Sequence, residues 1–377
     1  MIKILALTPG GLEKISVDEI RKIIGKSVDV ERGQVSFYGD YVDAIKLNIL
    51  CRTITRVLIC IDEGSFKDLN DLARKISRLD FKIYFKDGYS FAVRCSRTGT
   101  HDFTSIDAAR VVGGVIHNSL LSQNMKIRVD LNEPDIEFHL RIRDDRYQLC
   151  IDTSGEGLNR RGYRVYSHPA ALNPVIAAAM IQILNWNGSK ILVDPMCGGG
   201  TIPIEACMIV RKIPPGVFRG AHPIIKLPVI SEDEYWRIRE DAIRKKLDIN
   251  DILCFGIDAG KKYIDGSILN ASSAGVKENI KFICGDSRRL EKLIPDDQYF
   301  FAFNPPYGIR LTRIKAIPEL YNSILKSLKN VGGFEGIIIT AAESAMRKAI
   351  KNANYNILRI YKVMHGNLET TIFHIQR

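Results

Sequence analysis

The sequence predicts an α/β chain whose larger part, from residue 173 onward, is a mostly parallel, doubly wound sheet preceded by smaller α+β units. Three observations carry this. After Asn173, short apolar runs alternate with helical stretches, the pattern of strands buried on both faces by crossover helices. Before residue 154, strand-like and helix-periodic segments follow one another in shorter, less regular order. Between the two, a polar passage from Ser154 to Ser167 with three glycines suits neither pattern and reads as a linker. At 377 residues the chain has room for roughly two or three domains. The expected divisions are 1–62, 63–154, a linker at 155–172, and 173–377.

In order, Ile2 to Leu7 is a strand, and Leu12, Ile15, Ile20, Ile23 and Ile24 mark one face of a helix. Gln34 to Tyr38 is a second strand, Tyr41 to Leu50 a helix, and Arg56 to Ile61 a third strand. The next unit has a helix near Asp68 to Leu79, a strand at Ser90 to Cys95 and a helix at Ser105 to Leu121. Strands follow at Lys126 to Leu131, Ile136 to Ile142 and Tyr147 to Thr153, and these three are expected to form a meander. Asn173 with Pro174 makes a good cap and first turn for the Ala-rich helix to Leu184. Buried strands are expected at Ile191 to Val193, Ile252 to Ile257, Ile280 to Cys284, Tyr299 to Phe303 and Gly336 to Thr340. An insertion from about Arg211 to Asn250 carries a helix opening at Ser231, where Glu234 completes a capping box.

Lys and Arg exceed Asp and Glu by 11 charges, spread over both halves, which favours a polyanionic partner. The eight cysteines are scattered without a CxxC pair and several lie in apolar runs, so reduced thiols in a cytoplasmic protein are expected. The apolar run at the N-terminus is too short for a signal peptide, and no membrane span is expected. His101, His168 and His365 are not at metal-ligand spacings, so no metal is expected.

The strand at Ile191 to Val193 runs into Asp194-Pro-Met-Cys-Gly-Gly-Gly-Thr201 and then a helix. Glycines at such a turn let a ligand approach the backbone. Pro203 occupies the place of the third glycine of a dinucleotide fingerprint, which disfavours a nicotinamide enzyme. Asp258 ends the next strand, where a carboxylate either receives ribose hydroxyls or caps the following helix. Asp286 ends a third and is placed to hold an adenine amino group. Asn304-Pro-Pro-Tyr-Gly308 ends the fourth. There the Asn oxygen and a backbone carbonyl of the Pro-Pro turn can accept the two hydrogens of an exocyclic amine, with Tyr307 stacking on the ring. Cys197 is not read as a nucleophile, because an amine target needs no covalent step.

Asp194-Pro-Met-Cys-Gly-Gly-Gly-Thr-Ile-Pro-Ile-Glu205 together with Asn304-Pro-Pro-Tyr-Gly resembles the Rossmann-like methyltransferases that use S-adenosylmethionine. Thr8-Pro-Gly-Gly-Leu-Glu13, Arg161-Gly-Tyr-Arg164, Ile213-Pro-Pro-Gly216 and His365-Gly-Asn-Leu-Glu369 narrow this to THUMP-containing RNA guanine-N2 methyltransferases. Among these, the chain is most similar to the tRNA enzymes acting at guanosine 6. The resemblance implies a ferredoxin-like domain at 1–62, a THUMP domain at 63–154 and a Rossmann-like methyltransferase domain at 173–377. It implies a monomer that binds the tRNA acceptor stem and 3′ CCA end. Asp194, Cys197, Gly198, Gly200 and Thr201 would then cradle S-adenosylmethionine, with Asp258 on its ribose, Asp286 on its adenine and Asn304 bordering it. Asn304, Pro305 and Tyr307 would hold the guanine. Among the basic residues, Arg141, Arg143, Arg160, Arg161, Arg164 and Arg310 are expected to contact RNA, with Arg160, Arg161 and Arg164 reading equally well as a solvated hinge. Relatives acting at position 10 generally carry Asp where Asn304 stands, which points away from them. Ribosomal RNA, adenine N6 in DNA, and a non-catalytic RNA-binding role are the alternatives.

Overall fold

The computed structural model describes residues 1–307 and 316–377. Its first sheet is built by β1 (Ile2–Leu7), α1 (Glu13–Ile24), β2 (Asp29–Glu31), β3 (Gln34–Gly39), α2 (Tyr41–Leu50) and β4 (Arg56–Ser65). To these are added α3 (Leu69–Ile76), β5 (Ser90–Thr98), α4 (Ser105–Ser122), β6 (Arg128–Val129), β7 (Ile136–Arg143) and β8 (Arg146–Asp152). The helix ends follow local chemistry. Gly25, at φ 68°, stops α1 with its N–H on the Arg21 carbonyl. Asp40 with Asp43, and Thr104 with Asp107, form reciprocal capping boxes at the starts of α2 and α4. In β7, Ile136, Phe138, Leu140 and Ile142 are buried in strict alternation, so one face of the strand lies in the core.

The strand order is β2-β3-β1-β4-β8-β7-β5-β6, one continuous sheet. The boundary expected at residue 62 falls inside β4, which pairs with β1 through Cys60 and with β8 as far as Ser65. The expected meander is corrected: β7 and β8 form an antiparallel pair, but β6 lies across β5 from them and runs parallel to it. Strand propensity was present at Lys126 to Leu131, yet only two residues pair, and the partner was set by the crossover through α4.

The second sheet follows from α5 (Pro174–Leu184), β9 (Leu192–Asp194), α6 (Thr201–Val210), α7 (Glu232–Arg244), β10 (Cys254–Asp258), α8 (Lys261–Ser273) and β11 (Ile280–Cys284). It is completed by β12 (Tyr299–Phe303), α9 (Ile317–Asn330), β13 (Gly333–Thr340), α10 (Glu343–Asn352), β14 (Asn356–His365) and β15 (Leu368–Gln376). Its order is β11-β10-β9-β12-β13-β15-β14, with β9 to β13 parallel and β15 antiparallel to both its neighbours. The chain winds outward from β9 to β11, then returns to β12 on the other side of β9. That reversal opens a crevice at the C-terminal ends of β9 and β12, where open α/β sheets bind ligands.

The insertion helix α7 packs with the first module. Tyr235 and Ala242 join the core of the first sheet, while Leu12, from the entry to α1, is buried in the core of the second. Gly11 sits at φ +94°, where a Cβ would meet the Lys362 carbonyl oxygen at 1.8 Å, and the Gly10 carbonyl accepts the Met364 N–H. The Thr8 to Glu13 turn is therefore pressed against β14, and only glycine permits that approach.

Candidate active site

A cavity of about 750 Å³ opens at the reversal point. Asp194 closes β9 there, 1% exposed, its Oδ1 accepting the Met196 N–H at 3.1 Å. Burial, with the Asp258 carboxylate adding to it and the Met196 N–H opposing, pushes the Asp194 carboxyl well above its ordinary range. Among the described residues it has no cationic partner in its wall of the cavity. Asp258, at the end of β10, accepts the Gly198 N–H on one oxygen at 3.1 Å and the Gly260 N–H on the other at 2.8 Å. It thus caps the turn into α8 and ties down the glycine loop, and each oxygen keeps a lone pair for a further donor.

The loop is shaped for close approach. A Cβ on Gly198 or Gly199 would come within 3.3 or 3.2 Å of His168, and Gly200, at φ +78°, caps α6. His168 stands edge-on to Tyr263 at 4.3 Å, and burial lowers its pKa, the nearby Arg164 and Lys262 charges adding to the effect. Asn270 of α8 holds this wall together: its side chain donates to the Gly199 and Tyr166 carbonyls and accepts the Tyr166 N–H. The Cys197 thiol is pushed well up by burial and the two carboxylates, so it is no thiolate nucleophile.

Asn304 follows β12. The Tyr307 hydroxyl donates to its side-chain oxygen at 2.6 Å, and burial raises that phenol to about 12. Below the turn, Tyr321 of α9 donates to the Pro306 carbonyl at 3.0 Å and lies 2.9 Å from the Thr340 hydroxyl at the end of β13. The Asn-Pro-Pro-Tyr turn is therefore held from α9 by Tyr321, which Thr340 of β13 braces in turn.

The structure brings Asp194, Cys197, Gly198, Thr201, Asp258, Asn304, Pro305 and Tyr307 into one lining. Gly200 lies behind it as the helix cap. Asp286 is not in the lining; it caps the turn after β11 and pairs with Arg288, which lowers its pKa. His168, Tyr263 and the turn at 365–368 were not singled out as site residues, though all line the cavity. His365-Gly-Asn-Leu had stood out only as a resemblance, because sequence distance hides that the β14–β15 hairpin returns to this rim.

The arginines separate. Arg161, expected to contact RNA, is instead 4% exposed, paired with Glu205 at 3.2 Å, and donates to the Leu158 and Arg52 carbonyls. A buried guanidinium needs such partners, and sequence spacing cannot show that it has them. Arg141 is half-buried against Gln34 and Gln148. Arg143 and Arg160 are exposed, Arg160 in an ion pair with Glu156, and Arg164 is half-buried. Arg310 lies outside the described residues, as does Gly308. Glu137, His139 and Asp152 cluster within 4.8 Å of one another, but Arg56 already pairs with Asp152 and Arg94 with Glu137.

The arrangement can hold a ligand bearing a diol for Asp258 and a cation for Asp194, beside a planar amine presented to Asn304. Residues 161–372 match the family model described as RMKL-like, methyltransferase domain; 66–152 match the THUMP domain, and 3–58 the RlmL ferredoxin-like domain. A protein of Methanocaldococcus jannaschii named tRNA (guanine(6)-N2)-methyltransferase is 36% identical over 98% of both chains. One of the same name from Archaeoglobus fulgidus is 32% identical over 97% of this chain and 90% of its own. The crystal structure of a "possible methylase" from Clostridium difficile 630 superposes with a TM-score of 0.89 at 26% identity, covering 100% of this chain and 98% of its own. With its glycine loop, strand-end carboxylates and Asn-Pro-Pro-Tyr turn gathered at one crevice, the chain belongs to the RMKL-like methyltransferases, with a THUMP domain ahead of the catalytic one.

Proposed function

We propose that the protein transfers a methyl group from S-adenosylmethionine to the exocyclic N2 of a guanosine in tRNA, at position 6 of the acceptor stem. The observation that carries this is the braced Asn304 turn lining one cavity with the glycine loop, Asp194 and Asp258, a set that suits an adenosyl amino acid. The two relatives matched over nearly their whole lengths are named for that reaction.

S-adenosylmethionine, when bound, supplies an electrophilic methyl group on a sulfonium. Asp258 would receive the ribose hydroxyls, Asp194 would face the ammonium of the methionine part, and Gly198 would leave room for the cofactor beside His168. Asn304 and the Pro305 carbonyl would accept the two N2 hydrogens; the Pro306 carbonyl is already taken by Tyr321. That orients the nitrogen for in-line attack, in which the N–C bond forms as the S–C bond breaks and the nitrogen then sheds a proton to water. Tyr307, a neutral phenol, would lie against the base. A guanosine in a stem is paired, so the enzyme must extrude it at a cost of a few kcal/mol. The ferredoxin-like and THUMP parts, one sheet in this protein, would grip the acceptor stem and 3′ CCA end of a single tRNA per monomer in the cytoplasm. Among the described residues no helix is long and apolar enough to cross a membrane.

The test is transfer of labelled methyl from S-adenosylmethionine to unmodified tRNA transcripts. Incorporation is expected with guanosine at position 6 and lost when that nucleotide is replaced. Label retained after the replacement, or found instead in ribosomal RNA, would overturn the assignment.

A further inference from the structure

Within Arg161-Gly-Tyr-Arg164 the two arginines have divided roles. Arg161 is committed to its buried pair with Glu205. Arg164, three residues on, is half-buried, and among the described residues its guanidinium takes part in no ion pair or hydrogen bond. It lines a second cavity of about 460 Å³, which shares Ala171, Leu172, His365 and Gly366 with the catalytic one. Among the described residues no carboxylate lines this second cavity. Arg160 and Arg161 border it too, but Glu156 and Glu205 meet their charges. The Arg164 charge is not cancelled locally, and it acts on His168 in the catalytic lining.

An extruded base remains covalently tied to its own phosphodiesters, so the RNA backbone must pass along the rim of the pocket that receives the base. The rim formed by 171–172 and 365–366 is the one behind which an uncompensated guanidinium waits. We infer that this second cavity is a phosphate subsite, in which Arg164 grips a backbone phosphate flanking the methylated nucleotide. The inference rests on the function proposed above. It makes Arg164 a substrate-positioning residue: it holds the strand while the base is out of the stack, without touching the reacting atoms. Arginine suits this task because its planar fork can give two parallel N–H bonds to one phosphate.

Equilibrium binding of a tRNA transcript at several salt concentrations, with methyl transfer measured on the same samples, tests it. For Arg164→Gln, affinity should fall about tenfold, and the slope of log affinity against log salt should shrink by about one phosphate contact. S-adenosylmethionine affinity should stay near the original value, and Arg164→Lys should restore the slope but only part of the tRNA affinity. An unchanged slope in Arg164→Gln, with or without lost affinity, overturns the subsite. Wild-type protein that binds tRNA but transfers no methyl would instead overturn the proposed function, and the salt slopes would still decide the role of Arg164.

Discussion

Asn304 and Asp194 line one cavity from the ends of the neighbouring strands β12 and β9, and each makes a residue-scale prediction. Asn304→Ala removes the acceptor that orients the amine, so turnover should drop about 10²- to 10³-fold while tRNA affinity is largely kept, read by single-turnover transfer beside a binding titration. Asp194 is a buried carboxyl raised well above its unfolded value, so the folded state binds its proton more tightly. Stability from this group is present below the unfolded pKa of about 3.9 and is lost as pH rises above it. Asp194→Asn keeps the Met196 contact without the charge. It should raise the apo-protein's unfolding midpoint at neutral pH, by a margin that grows upward from about pH 4, yet weaken S-adenosylmethionine binding at least tenfold. Both residues were legible because strand-end position and side-chain chemistry coincide in the sequence. The place of Arg161 is hidden for the opposite reason: Arg160, Arg161 and Arg164 are close neighbours in one polar run, and only the fold buries the middle one against Glu205.

At the scale of elements, the cavity depends on joints between strand ends and helices that do not themselves touch the ligand. Asn270 is the clearest, since one α8 side chain fixes both the glycine loop and the linker at Tyr166 through three hydrogen bonds. Asn270→Ala should cost about 2 kcal/mol in denaturant unfolding, from buried groups left unpaired, and raise the cofactor's dissociation constant more than it lowers turnover. Tyr321→Phe should act on the Asn304 turn: by freeing the Pro306 carbonyl it should lower turnover about tenfold with little change in either dissociation constant. These joints are invisible in the sequence because they link residues 15 to 104 positions apart. The parallel strands were readable from their apolar runs, and α2 was placed to the residue. The pairing of β6 was not, since alternation shows that a strand exists but not which neighbour it finds. In β14 the residues Asn356 to Ile360 are all exposed on a sheet edge although Ile357, Leu358 and Ile360 are apolar, so the segment lacks the alternation that marks a half-buried strand.

Across the whole molecule, a buried polar network welds the first sheet to the catalytic domain. Glu19 accepts the Arg52 and Thr53 N–H groups, Arg52 reaches the Met208 and Ile213 carbonyls, and Arg161 joins the Arg52 carbonyl to Glu205, which also receives the Tyr163 hydroxyl. Fixing the modules in this way would hold an RNA gripped by the first at a constant distance from the Asn304 turn in the second. Arg161→Ala leaves Glu205 buried without its cation, so it should lower stability by about 3 to 5 kcal/mol in denaturant titration, with Arg161→Lys only partly restoring it. The account as a whole stands on the identity of the methylated atom. Mass spectrometry of nucleosides from unmodified tRNA incubated with the protein and S-adenosylmethionine reads it directly. N2-methylguanosine as the methylated product is the predicted result; N6-methyladenosine, or no methylated nucleoside from an enzyme shown to bind both cofactor and tRNA, would contradict it.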